Sequence, residues 1–155
     1  MPGVIRRSPA RLRQLAPSDI VLLMAAPAAL PLLAVGLRRL GLRRMMVLLA
    51  GQRSVAATPD EASAERLAWI VKVAARYGPW PANCLQRSVL LWWYLRIHGL
   101  DGDLRIGVRR DPETDGLEFH AWVEHCSSVL NDRADLRERY ATFDQAVAPR
   151  HVTFH

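Results

Sequence analysis

The sequence predicts an α+β fold, helices first and a small antiparallel sheet after them. Two observations carry this. Residues 84–98 are apolar on almost every face of a helix, the mark of an element at the centre of a domain. After Gly102 the apolar period drops to two, as in a half-buried strand. A block of helices followed by antiparallel strands is the order of an α+β domain. At 155 residues, half of them hydrophobic, the chain is long enough for one real core and is not a disordered segment.

Residues 1–57 form a basic, apolar and helical region. They hold nine Arg and one acidic residue, Asp19, whereas residues 58–155 carry a net charge of −2, so the formal +6 belongs to the N-terminal third. No aromatic residue is interleaved with those arginines, which argues against a nucleic-acid surface. Ile20 to Leu37 is an uncharged run of eighteen residues, at the lower limit for spanning a bilayer. Pro27 and Pro31 interrupt it, and arginines on both flanks oppose translocation of either end. Two short helices are expected instead, about 18–36 and 36–50, the first capped by Ser18 or Asp19. They would cover the core, with docking of a partner or membrane contact through 18–50 as further options.

Thr58-Pro59-Asp60-Glu61 opens the next helix with a cap, a proline at the first position and the acid of a capping box. Leu67, Ile70, Val71 and Ala74 give its apolar stripe, and Gly78-Pro79 ends it. Asn83 is a preferred cap for the central helix, which Gly99 terminates. Leu104, Ile106 and Val108 alternate along a first strand, and 111–116 is a turn. Leu117, Phe119, Ala121 and Val123 alternate with Glu118, His120, Trp122 and Glu124 along the second strand. A turn at 125–128 leads to a short strand from Ser128 to Asn131, ending at Asp132.

Three residues on these elements suit a cysteine nucleophile. Cys84 takes the first position of the central helix, where unpaired N–H groups and the positive dipole end favour a thiolate. His120 can act as general base and then protonate a leaving amine. Asp132 can orient the imidazole through a carboxylate hydrogen bond. The backbone N–H of Cys84 is the natural first oxyanion donor. Cys126 lies in a hydrophilic turn with no helix behind it and is not a nucleophile candidate. The two cysteines form neither a disulfide framework nor a zinc motif, so a reduced, cytoplasmic setting is expected, with no metal and no cofactor.

Cys84-Leu85-Gln86-Arg87-Ser88, Leu104-Arg105-Ile106-Gly107-Val108, Phe119-His120-Ala121-Trp122-Val123-Glu124 and Val129-Leu130-Asn131-Asp132 resemble the transglutaminase-like leader peptidases of lasso-peptide biosynthesis. The resemblance spans about residues 58–140 and suits the stand-alone peptidase form. It implies a papain/transglutaminase-like core over 58–155, with the Cys84 helix packed on the sheet and Cys84, His120 and Asp132 as catalytic triad. It further implies a ribosomally made precursor peptide as substrate, a separate leader-recognition protein, and an asparagine-synthetase-like cyclase as partners. A transglutaminase-type acyltransferase and a non-enzymatic scaffold for an acidic partner or membrane are the competing readings. Arg87 has no role that the sequence assigns.

Overall fold

The structure, a computed structural model, describes residues 15–52, 61–114 and 116–143. Helix α1 (Pro17–Ala50) starts with Pro17 at its first position. The Asp19 carboxylate accepts the Ala16 N–H at 2.9 Å and pairs with Arg66 at 3.0 Å, so it closes the helix start from the third helical position. Pro27 and Pro31 both lie within the helix.

The expected division near residue 36 is corrected: the backbone breaks at Gly41 (φ 76°, ψ 166°), a conformation that side chains disfavour. Gly36 remains helical and serves packing instead. A Cβ there would come within 2.8 Å of the Met45 sulfur, which the chain folds back against it after Gly41. Ala26, Leu30, Leu33, Met46 and Leu49 from α1 enter one core with α2 and α3. On the outer side Val21, Met24, Leu32 and Val35 stay 55–75% exposed.

Helix α2 (Glu61–Tyr77) buries Leu67, Ile70, Val71 and Ala74, the stripe that its spacing predicts. The expected start at Thr58-Pro59 lies outside the described residues. Gly78 closes the helix by donating to Ala74 O at 2.8 Å, and a Cβ on Gly78 would stand 2.4 Å from that oxygen. Helix α3 (Cys84–Ile97) is the central element, burying Ser88 to Trp92, Tyr94 and Leu95. The Tyr94 hydroxyl donates to Leu22 O at 2.9 Å and ties α3 to α1. Burial pushes that phenol up to about 12. Gly99, at φ 73°, terminates α3, and Leu100 N–H returns to Leu95 O.

Strands β1 (Asp103–Arg110) and β2 (Leu117–His125) pair antiparallel. A two-residue turn with positive φ at Cys126 and Ser127 leads into β3 (Ser128–Val129). A short helix, α4 (Leu136–Arg139), then precedes β4 (Ala141–Thr142), and the sheet order is β3-β2-β1-β4. The third strand is shorter than expected because Asn131 Oδ1, not a main-chain carbonyl, accepts the Val123 N–H, at 2.8 Å.

Leu104 and Val123 join the helical core. The other face of the sheet is covered too: Trp122, fully buried, packs with Leu136 and Tyr140 in a second, smaller core. Leu117 and Phe119, by contrast, are 65% and 60% exposed despite their place in the alternation.

Candidate active site

Asn83 caps α3 by accepting the Gln86 N–H at 2.9 Å, and Gln86 Oε1 accepts the Asn83 N–H at 3.2 Å. This reciprocal pair fixes the first turn of α3 and hence Cys84, a half-buried residue. One turn further along the same side, fully buried Ser88 donates to Ala121 O at 3.0 Å. Ala121 follows His120 directly, so a buried hydroxyl registers the helix of Cys84 against the strand of His120. Asn131 Nδ2 donates to the same Ser88 hydroxyl at 2.9 Å while its carbonyl holds Val123 N–H. Helix, strand and the loop bearing Asp132 are thus joined at one point.

His120 Nε2 lies 2.7 Å from Asp132 Oδ2. With the carboxylate accepting, Nε2 carries the proton and Nδ1 keeps a free lone pair. The imidazole is stacked against Tyr140 at 5.4 Å and Trp122 at 6.2 Å between ring centroids. Gly107, opposite His120 in the β1–β2 register, makes room for this. A Cβ there would come within 2.8 Å of both the Trp122 ring and Tyr140 Cβ. Among the described residues Cys84 Sγ has no hydrogen-bond partner. The structure therefore joins His120 to Asp132 and leaves the thiol unbonded.

Two charged clusters hold the stacked rings. Glu124, 3% exposed, accepts from Arg137 Nε and Nη2 (2.7 and 2.5 Å), from Arg105 Nε at 3.2 Å and from the Trp122 indole N–H at 3.0 Å. Its carboxyl falls to about 2, with the Arg137 hydrogen bonds as the largest cause and burial opposing them. Glu118 accepts the Tyr140 hydroxyl at 2.8 Å and Arg109 Nε at 2.6 Å, and these bonds lower its carboxyl too. Arg109 also lies over the Tyr140 ring, 4.9 Å from its centroid.

Sequence reasoning placed Cys84, His120 and Asp132 but missed Ser88, Gly107, Asn131, Arg137 and Tyr140. Ser88, Gly107 and Asn131 fall within the quoted motifs, but no local pattern gives them their roles, and Arg137 and Tyr140 carry no such signal.

Cys126 follows the last residue of β2, His125, which is about 17 Å of strand from His120. Its Sγ is 3.5 Å from His125 Nε2, while His125 Nδ1 donates to Asp101 O at 2.5 Å. Among the described residues no group of three or more His, Cys, Asp or Glu could hold a metal ion.

A groove of about 610 Å³ opens beside Asp132, between α2, the first turn of α3 and the β3–α4 loop. Arg87 lines it.

No curated protein and no solved structure gives a significant match to the chain. The family model described as the transglutaminase-like superfamily matches residues 29–144, most of the chain and all of the elements that position this site. The chain belongs to the transglutaminase-like superfamily, whose members include cysteine peptidases and acyltransferases.

Proposed function

We propose that this protein is a cysteine peptidase that removes the leader from a ribosomally made lasso-peptide precursor, before a separate asparagine-synthetase-like cyclase closes the macrolactam. The observation that carries the reading is the 2.7 Å His120–Asp132 pair, on a strand registered through Ser88 to the capped helix that begins with Cys84. The superfamily match and the quoted resemblance of the motifs support it.

In this mechanism Cys84 Sγ, its proton taken by His120 Nδ1, attacks the carbonyl carbon at the leader–core junction. Asp132 holds the imidazole through Nε2 and stabilises the imidazolium that forms. The unpaired N–H of Cys84 at the helix start donates to the oxyanion. Collapse breaks the C–N bond, His120 returns its proton to the leaving amine, and a leader thioester remains on Cys84. Water, activated by the same imidazole, hydrolyses it. The leader-recognition protein delivers the precursor, and the freed amine passes to the cyclase.

Mass spectrometry of precursor incubated with this protein and its recognition partner tests the proposal. The expected result is loss of the leader mass. Loss of ammonia without chain cleavage would favour the acyltransferase reading, and cleavage that survives Cys84→Ala would favour the scaffold.

A second reading concerns location. Val21, Met24, Leu32 and Val35 form an exposed apolar stripe that ends at exposed Arg38 and Arg39, with exposed Arg43 and Arg44 beyond the break. Because the opposite face of α1 is packed on α2 and α3, this pattern favours a helix lying on an anionic membrane surface over one spanning it. Co-sedimentation with phosphatidylglycerol-containing vesicles, lost when the four arginines become Glu, is expected. Equal sedimentation of both proteins contradicts this reading.

A further inference from the structure

The groove beside Asp132 holds three cations, of which Arg133 is paired with Asp135. Arg66, Arg105, Arg109, Arg133 and Arg137 each sit on a carboxylate. Lys72 and Arg87, both lining the groove, have no ion-pair or side-chain hydrogen-bond partner among the described residues. Lys72 is also the single lysine of the chain. Trp69, half-buried, and Glu65 complete the α2 side of the groove. Glu65 precedes Lys72 by two helical turns, about 10 Å, so it stands away from the end of α2 that leads into α3. Glu65 too has no ion-pair partner among the described residues, so the α2 wall of the groove carries an unpaired cation toward α3 and an unpaired carboxylate at its other end, facing Asp132 and Arg133 of the loop.

Arg87 follows Cys84 by three residues, about one helical turn or 5 Å along the axis. An extended peptide advances roughly 3.3–3.6 Å per residue. A side chain bound by Arg87 thus belongs to a residue within about three positions of a carbonyl held at Cys84 Sγ. The groove's volume is that of an ordinary ligand site, large enough for a few residues of peptide.

We infer that this groove is a substrate subsite for an acidic residue, an Asp or Glu close to the scissile bond, whose carboxylate is held between Lys72 and Arg87 while its chain lies along Trp69. A guanidinium presents a planar fork to a carboxylate and an ammonium adds a point charge, so the pair discriminates Glu from Gln by charge and geometry together. Arg87 gains a role that the sequence left open. The inference rests on the proposed peptidase reading for its position relative to the reacting carbonyl.

The test uses the full-length protein and a mixture of N-acetylated, C-amidated decapeptides randomised at the central positions, with cleavage products sequenced by mass spectrometry. Asp or Glu enriched about tenfold at one fixed position within three residues of the cut is expected. Arg87→Gln and Lys72→Gln should each lower the enrichment severalfold, and Arg87→Glu should shift the preference toward Lys or Arg. Cleavage that depends on Cys84 but shows no acidic preference overturns the subsite and leaves the peptidase reading intact.

If the decapeptides show no Cys84-dependent cleavage, binding decides the subsite, and the peptidase reading stands or falls on the precursor assay with the recognition partner. Cys84→Ala protein should bind a Glu-containing hexapeptide at least tenfold more tightly than its Gln counterpart. Adding Arg87→Gln should erase that ratio, and equal binding of both peptides by the Cys84→Ala protein overturns the inference.

Discussion

The two sides of the site are held by different physics. Cys84 stands on a helix whose surroundings are almost wholly apolar: Val89, Leu90, Leu91 and Leu95 are completely buried in one core with α1, α2 and Leu104 and Val123 of the sheet. His120 and Asp132 stand on a layer with a core of three buried residues, Trp122, Leu136 and Tyr140, clamped by the carboxylates of Glu118 and Glu124. Hydrophobic burial is indifferent to pH and tolerates small shifts. A buried carboxylate held by two arginines is directional and fails abruptly when one partner goes. The nucleophile is placed by bulk and the base by geometry, and the Ser88–Asn131 bridge is where the two halves are set in register.

Removing residues 1–50 should break the comparison most severely. The deletion strips Leu30, Met46 and Leu49 from the core around α3, and circular dichroism should report loss of cooperative unfolding rather than a soluble, active remainder. Within the helical half, Leu90→Ala should cost about 3 kcal/mol, read from denaturant midpoints, with no dependence on pH. In the sheet half, Glu124→Gln should cost roughly as much, about 3 kcal/mol, because it leaves Arg137 and Arg105 beside an uncharged buried group. It should also lower activity beyond its effect on stability, since α4 and the Asp132 loop share that anchor.

Acid separates the halves further. The Glu124 carboxyl is lowered in the folded protein from 4.5 to about 2, so its stabilisation is fully present above about pH 4.5 and is lost as pH falls toward 2. Urea titrations of wild type should show stability declining across that window. Glu124→Gln should flatten the decline, and an unchanged slope would remove Glu124 as its source. The smallest effect is expected at the helix start, where Asn83→Ala should cost about 1 kcal/mol and disturb Cys84 before the sheet.

Much of this division is legible in the sequence, for a physical reason. Capping, periodicity and termination are local signals, so Asn83, the apolar run of α3, Gly99 and the alternation of β1 and β2 announce themselves within a few residues. Cys84, His120 and Asp132 could be picked because each sits at a recognisable place on such an element. What was not legible depends on distance along the chain. Ser88 meets Asn131 across 43 residues and Glu124 meets Arg137 across 13, and no periodicity encodes either meeting. Gly107 reads as a weak point in a strand until Tyr140 is seen packed against it. The α1 break at Gly41 is not legible either, because Gly36 carries the same local signal and only the packing of Met45 against it shows that it stays helical.

Single-turnover cleavage of the precursor, in the presence of its recognition protein, tests most directly whether Cys84 is driven by the His120–Asp132 pair. Cys84→Ala and His120→Ala should show no detectable turnover. Asp132→Asn should fall about 10²-fold or more while remaining folded, and Cys126→Ala should match wild type. Full activity in Asp132→Asn, or activity that follows Cys126 instead of Cys84, would contradict the assignment of the site.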